Sequence, residues 1–107
     1  MSETKFTPGP WVVYPETDGT EICAVNYTPG LPIRQIIARP DRGANWISNA
    51  RLIAAAPDMY KELEEALNVF RFYQFHHASK GHSEKEQNNK QYADNIEKVL
   101  AKARGEG

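Results

Sequence analysis

The amino-acid sequence predicts an α+β fold: an N-terminal three-stranded antiparallel β-meander, then a short helix and a long antiparallel helical hairpin. Three observations predict it. Six of the seven prolines, from Pro8 to Pro40, fall in the first forty residues, and Pro57 is the last. Proline and glycine punctuate short extended segments, so the first part of the chain reads as strands and turns. Beyond Pro57 the apolar residues recur at three- and four-residue spacing almost to the end, the period of helices that bury a face.

The first strand is Trp11-Val12-Val13-Tyr14, β-branched and aromatic, bounded by Pro10 and Pro15. Asp18-Gly19 signals a turn, and Glu21 to Tyr27 follows with partial apolar alternation. Thr28-Pro29-Gly30 turns the chain again. Pro32 to Arg39 carries Ile33, Ile36 and Ile37 in a third extended run that ends at Pro40. A meander is the simplest way to join three consecutive short strands, and a sheet this small needs cover on one face.

Asp41-Arg42-Gly43 breaks the third strand, and Ala44 to Ala56 reads as the first helix, with Trp46, Ile47, Ala50, Ile53 and Ala54 at helical spacing. Pro57 suits the first turn of a new helix but not the interior of a continuous one, so a bend is expected at Ala56-Pro57. The second helix then runs to Ser79. Its Met59, Tyr60, Leu63, Ala66, Leu67, Phe70 and Tyr73 form one apolar stripe. Val69, Phe72 and Phe75 form a second stripe that points away from the first. A helix apolar on two faces calls for two partners: the sheet or third helix on one side, and on the other either a second subunit or the chain's own sheet. Gly81 reads as a left-handed cap, and Ser83 to Glu86 matches a capping box that starts the third helix. Tyr92, Ile96, Val99, Leu100 and Ala103 give that helix a narrow stripe suited to a hairpin. One domain over residues 1–107 accommodates all of this, with the meander over 8–40 and the helical part over 44–104. Residues 1–6 and 105–107 are expected to be disordered.

Composition narrows the function classes. The formal net charge of −1 gives no bulk attraction to nucleic acid or to a membrane surface. No stretch approaches the roughly 20 apolar residues of a membrane span, and Met1 to Thr7 carries no apolar signal region. A cytoplasmic protein is expected. Cys23 is the only cysteine, which excludes an intrachain disulfide and a cysteine zinc cluster; it reads as a small buried hydrophobe.

Chemistry-bearing residues are sparse. His76, His77 and His82 gather at the end of the second helix, where cations complement the helix dipole. Adjacent His76 and His77 point in different directions on a helix, so no metal site is expected. Glu62, Glu64 and Glu65 read as a solvated face, and Gly9, Gly19, Gly30 and Gly43 are isolated turn residues rather than a phosphate loop. Neither a catalytic centre nor a cofactor is expected. The basic residues are more informative. From Pro32 to Ala56, Arg34, Arg39, Arg42 and Arg51 stand against Asp41 alone, and the planar guanidinium suits bidentate capture of phosphate or carboxylate. With Asn45 and Trp46 they are the candidate ligand- or partner-binding residues. The plainer account is that these arginines pair with the acidic second helix or a neighbouring subunit.

Two segments carry a family resemblance. One is Phe6-Thr7-Pro8-Gly9-Pro10-Trp11; the other runs Asn49-Ala50-Arg51-Leu52-Ile53-Ala54-Ala55-Ala56-Pro57-Asp58-Met59-Tyr60, followed by Leu63 and Ala66-Leu67. Together they resemble small, mostly uncharacterised accessory proteins of tailed phages and prophages. The resemblance covers about half the chain and leaves residues 70–107 without a counterpart. It implies a protein expressed during infection or lysogeny rather than a virion component, and no catalytic residues come with it. The expectation is a non-catalytic binding protein in the cytoplasm of a bacterial host. It would be a homo-oligomer, dimer or higher, through Val69, Phe72 and Phe75. Its role would be counter-defence or host takeover, by blocking a host protein or sequestering a small phosphorylated ligand such as a nucleotide. Two alternatives stay open: a nucleic-acid-binding regulator, which only the Arg34 to Arg51 segment favours, and an assembly factor for another phage protein.

Overall fold

The computed structural model describes residues 6–16, 19–28, 31–40 and 43–106, with the backbone alone at 15, 16, 19, 25–28 and 31–35. Its elements are β1 (Trp11–Glu16), β2 (Gly19–Thr28), β3 (Leu31–Ala38), α1 (Trp46–Ala54), α2 (Ala56–Ser79) and α3 (Ser83–Ala103). The expected α+β order is present. Asp18, Pro29-Gly30 and Asp41-Arg42, assigned to turns from the sequence, lie outside the described residues. The chain divides into two compact units, Met1–Met59 and Tyr60–Gly107.

In the first unit the strands pair antiparallel in the order β1-β2-β3. β1 continues through Pro15, which lies opposite Thr20, instead of stopping before it. Both strand prolines, Pro15 and Pro32, lie on edge strands, where a missing N–H is tolerated; central β2 contains none. The register shifts between Ile22, opposite Ala38, and Cys23, opposite Ile36, so Ile37 is the extra residue of a β3 bulge. Ile22, Cys23 and Ala24 are all fully buried. Successive strand residues point to opposite faces, so the middle of β2 is covered on both. α1 packs on β1 and β2 and buries Ala50, which groups it with the sheet rather than with the helices that follow.

The segment before β1 is fixed by its own contacts. The Trp11 indole N–H donates to the Thr7 carbonyl at 3.1 Å, and the Phe6 ring meets Trp11 edge-on at 6.3 Å. Gly9 rests against buried Pro57: a Cβ at position 9 would lie 2.9 Å from Pro57 Cβ. The two sequence segments that suggested a family therefore touch.

α1 starts at Trp46 rather than Ala44, because Gly43 to Asn45 form a turn in which the Trp46 N–H donates to the Gly43 carbonyl at 3.1 Å. The break before α2 falls at Ala55, one residue ahead of the expected bend. Pro57 then occupies the first turn of α2, where its missing N–H is no loss.

In the second unit α2 and α3 run antiparallel. Arg104 Nη1 donates to the Tyr60 hydroxyl at 3.2 Å, the Phe70 and Tyr92 rings lie 5.3 Å apart, and Arg71 pairs with Asp94 at 3.0 Å and with Glu97. Rising numbers on one helix thus meet falling numbers on the other. The sequence stripe on α3 is partly misassigned: Tyr92 and Val99 are more than half exposed, while Ala93 and Leu100 are buried. Alanine contributes little to a periodicity reading, so the register of the inner face was off by one position at Ala93. Ser83 is the first helical residue rather than the cap. His82 occupies the N-cap, its carbonyl accepting the Glu86 amide at 2.9 Å, and no side chain caps the helix.

Candidate functional site

The sequence-derived binding residues are spread over the first unit. Arg34 lies opposite Val25 in the β2–β3 register, with its backbone alone described, and Arg42 lies outside the described residues. Arg39, just after β3, reaches across to Glu21 with Nε at 2.9 Å and Nη2 at 2.8 Å. Both nitrogens converge on the single oxygen Oε2, and this contact occupies that edge of the guanidinium. Asn45 is the exposed N-cap of α1, Trp46 is half-buried in its first turn, and Arg51 is exposed in its last turn. Asn45 and Arg51 are six residues apart, about 9 Å along the axis and a third of a turn around it. They do not converge on one point.

The outer stripe of α2 is more coherent. Val69, Phe72 and Phe75 are 52%, 65% and 68% exposed. They recur every three residues, so the row drifts around the helix: Val69 and Phe72 face away from Phe70 and Arg71, which meet α3, while Phe75 lies one turn beyond Arg71 on nearly the same side as it. The Phe72 ring is flanked by Tyr73 edge-on at 5.5 Å and stacks on His76 at 6.3 Å.

That aromatic run continues into the α2–α3 turn. Tyr73 stacks on His77 at 6.2 Å, His76 meets His77 edge-on at 5.3 Å, and His77 Nδ1 lies 3.3 Å from His82 Nδ1. Partial desolvation, and then the positive charges of His76, His82 and Lys85, hold the His77 imidazole below its ordinary pKa. Among the described residues no group of three or more His, Cys, Asp or Glu is arranged to hold a metal ion. No helix among them is long and apolar enough to cross a membrane. An open groove of about 420 Å³ runs along α3, lined by Gln91, Asp94, Glu97, Lys98 and Ala101.

A family model described as Salmonella phage P22 protein Y8K6 matches residues 1–107. The chain belongs to this phage protein family. No curated protein and no solved structure matches it. The phage setting suggested by the two short segments therefore holds over the whole length of the chain.

In this Y8K6-family chain, sequence reasoning missed the polar link between its long helices. Arg71 sits within the acidic pair Asp94 and Glu97, and Lys90 holds Asp94 at 2.7 Å from one turn away. The contacts with Lys90 and then Arg71 keep the Asp94 carboxyl below the usual carboxylate range, and those with Glu97 and Asp94 raise Arg71. The Lys90–Asp94 spacing was visible as an i,i+4 pair. The contacts of Arg71 depend on how two distant segments align.

Proposed function

We propose that this phage protein is non-catalytic and acts by binding in the cytoplasm of the bacterial host, as an oligomer assembled through the outer face of α2. The observation that carries the reading is the exposure of Phe72 and Phe75, two large aromatic side chains on one side of one helix. Scattered single exposed hydrophobics are ordinary, whereas a contiguous row marks a contact surface. The first occupant of that surface is a second copy of the chain. A row of Val69, Phe72 and Phe75 along a helix can pack against itself about a two-fold axis, and two-fold dimers are the commonest closed assemblies. The assembled form then engages a host protein, in counter-defence or host takeover.

A second reading, sequestration of a small phosphorylated ligand, is favoured by one feature. Arg51 is exposed in the last turn of α1, and the planar guanidinium fork fits a phosphate, whereas Arg39 is engaged by Glu21. Native mass spectrometry of protein purified from bacteria, before and after denaturation, separates the two. A defined oligomer free of small molecules supports the protein-contact reading, and a pull-down for the host target follows. An oligomer that releases a phosphorylated compound puts Arg34, Arg39, Arg42 and Arg51 first. A ligand-free monomer overturns both.

A further inference from the structure

The turn between α2 and α3 brings two imidazoles together by a route that helical periodicity does not offer. α2 ends in a Schellman turn: the His82 amide donates to the His77 carbonyl at 2.9 Å, and the Gly81 amide to the Ala78 carbonyl at 3.2 Å. Gly81 has φ +75°, a left-handed conformation that glycine adopts without steric cost. In such a turn the residues closing the outer hydrogen bond commonly meet through an apolar side-chain contact. Here both are histidines. Their ring centres are 5.5 Å apart and their Nδ1 atoms 3.3 Å apart, so the facing nitrogens lie between the rings. His82 is the N-cap of α3, yet its side chain makes no capping hydrogen bond.

The separation is informative. It lets one ring donate to the other, the roles set by the tautomers, and it also matches the spacing of two nitrogens on a shared ion. Two imidazole nitrogens bound to one tetrahedral ion, each at about 2.0–2.1 Å, lie about 3.3–3.4 Å from each other. We propose that His77 and His82 form a two-imidazole site for a divalent first-row transition ion, with water completing its coordination. Imidazole suits Cu²⁺, Ni²⁺ and Zn²⁺ and does not suit Ca²⁺ or Mg²⁺. The hydrogen-bonded turn sets the spacing of the two residues, and Tyr73 stacked on His77 supports that ring from the helix side. His76 is a neighbour rather than a ligand, because its ring stacks on Phe72 and meets His77 only edge-on. The site needs no third side chain from this chain.

The test is calorimetric titration of tag-free protein with Cu²⁺, Zn²⁺ and Ca²⁺ at neutral pH. The expected result is one Cu²⁺ per chain, weaker Zn²⁺ binding and none for Ca²⁺, following the ordinary affinity order. Because the second imidazole binds intramolecularly, His77→Gln and His82→Gln should each weaken Cu²⁺ binding at least about tenfold, while His76→Gln changes it little. A readout that needs no variant is the imidazole nitrogen spectrum with added Zn²⁺, in which the Nδ1 signals of His77 and His82 shift and those of His76 do not. Wild-type affinity no greater than that of the His77→Gln/His82→Gln double variant overturns the proposal. So does an equal loss in His76→Gln, or a shift confined to His76.

Discussion

At Gly9 an added Cβ would stand 2.9 Å from Pro57 Cβ and 3.3 Å from Pro57 Cγ, and Pro57 is buried at the start of α2. A rigid pyrrolidine ring cannot swing aside as a long side chain does, so the backbone of one segment must shift. Gly9→Ala should therefore cost about 1–3 kcal/mol, the usual range for overpacking a filled site. Gly43→Ala is the matched control, since nothing lies within 4 Å of its Cβ position; its effect should stay within about 0.5 kcal/mol. Urea denaturation of both variants checks the pair, and equal midpoints would remove the close packing at Gly9. Residue by residue, local character was legible where neighbours along the chain decide it. Cys23, read as a small buried hydrophobe, is fully buried opposite Val12 and Ile36. The partner of Arg39 was not legible. Glu21 is eighteen positions away and comes alongside only because β2 and β3 pair in one register.

Between elements, the polar contacts of α2 and α3 make hairpin stability depend on pH. The Asp94 carboxyl is held below its ordinary pKa by Lys90 first and Arg71 second. The folded state therefore binds a proton there less readily than the unfolded chain. That contribution is fully present above the ordinary carboxylate range and is lost as pH falls through it toward the lower folded value. Thermal melts should show the midpoint falling on acidification, and Asp94→Asn should lower it near neutrality while flattening the acid slope. The effect will be modest, because the groups are partly exposed and solvent screens them. An unchanged slope in Asp94→Asn would assign the acid sensitivity to other carboxylates. The sequence made the helices, the Pro57 break and the Gly81 cap readable because each follows from local spacing and backbone preference. The start of α3 at Ser83 was readable, but its cap was given to Ser83 instead of His82 because one residue serves two turns. His82 closes the end of α2 and also begins α3, and a capping-box pattern one position later looked sufficient on its own. The facing of His77 and His82 follows from that double role, which no 3.6-residue period contains.

At the scale of the molecule, the α2 outer face poses a question of association. Val69, Phe72 and Phe75 read as a second stripe from their three-residue interval, and all three are exposed, as are Met59 and Tyr73 of the first stripe. What covers them depends on surfaces that spacing along one chain does not encode. If a second copy packs there, a charge at the centre of the row is placed in a desolvated contact with no partner. Phe72→Glu should then raise the dissociation constant of the oligomer at least about 30-fold, as expected for an aromatic anchor. An already exposed position should alter the stability of the isolated chain by no more than about 0.5 kcal/mol. Sedimentation velocity reads the first quantity, and circular dichroism with a thermal melt reads the second. Dissociation with the fold intact assigns the face to subunit contact. An oligomer that survives Phe72→Glu rules that out, and a chain that unfolds shows that the row is part of the core.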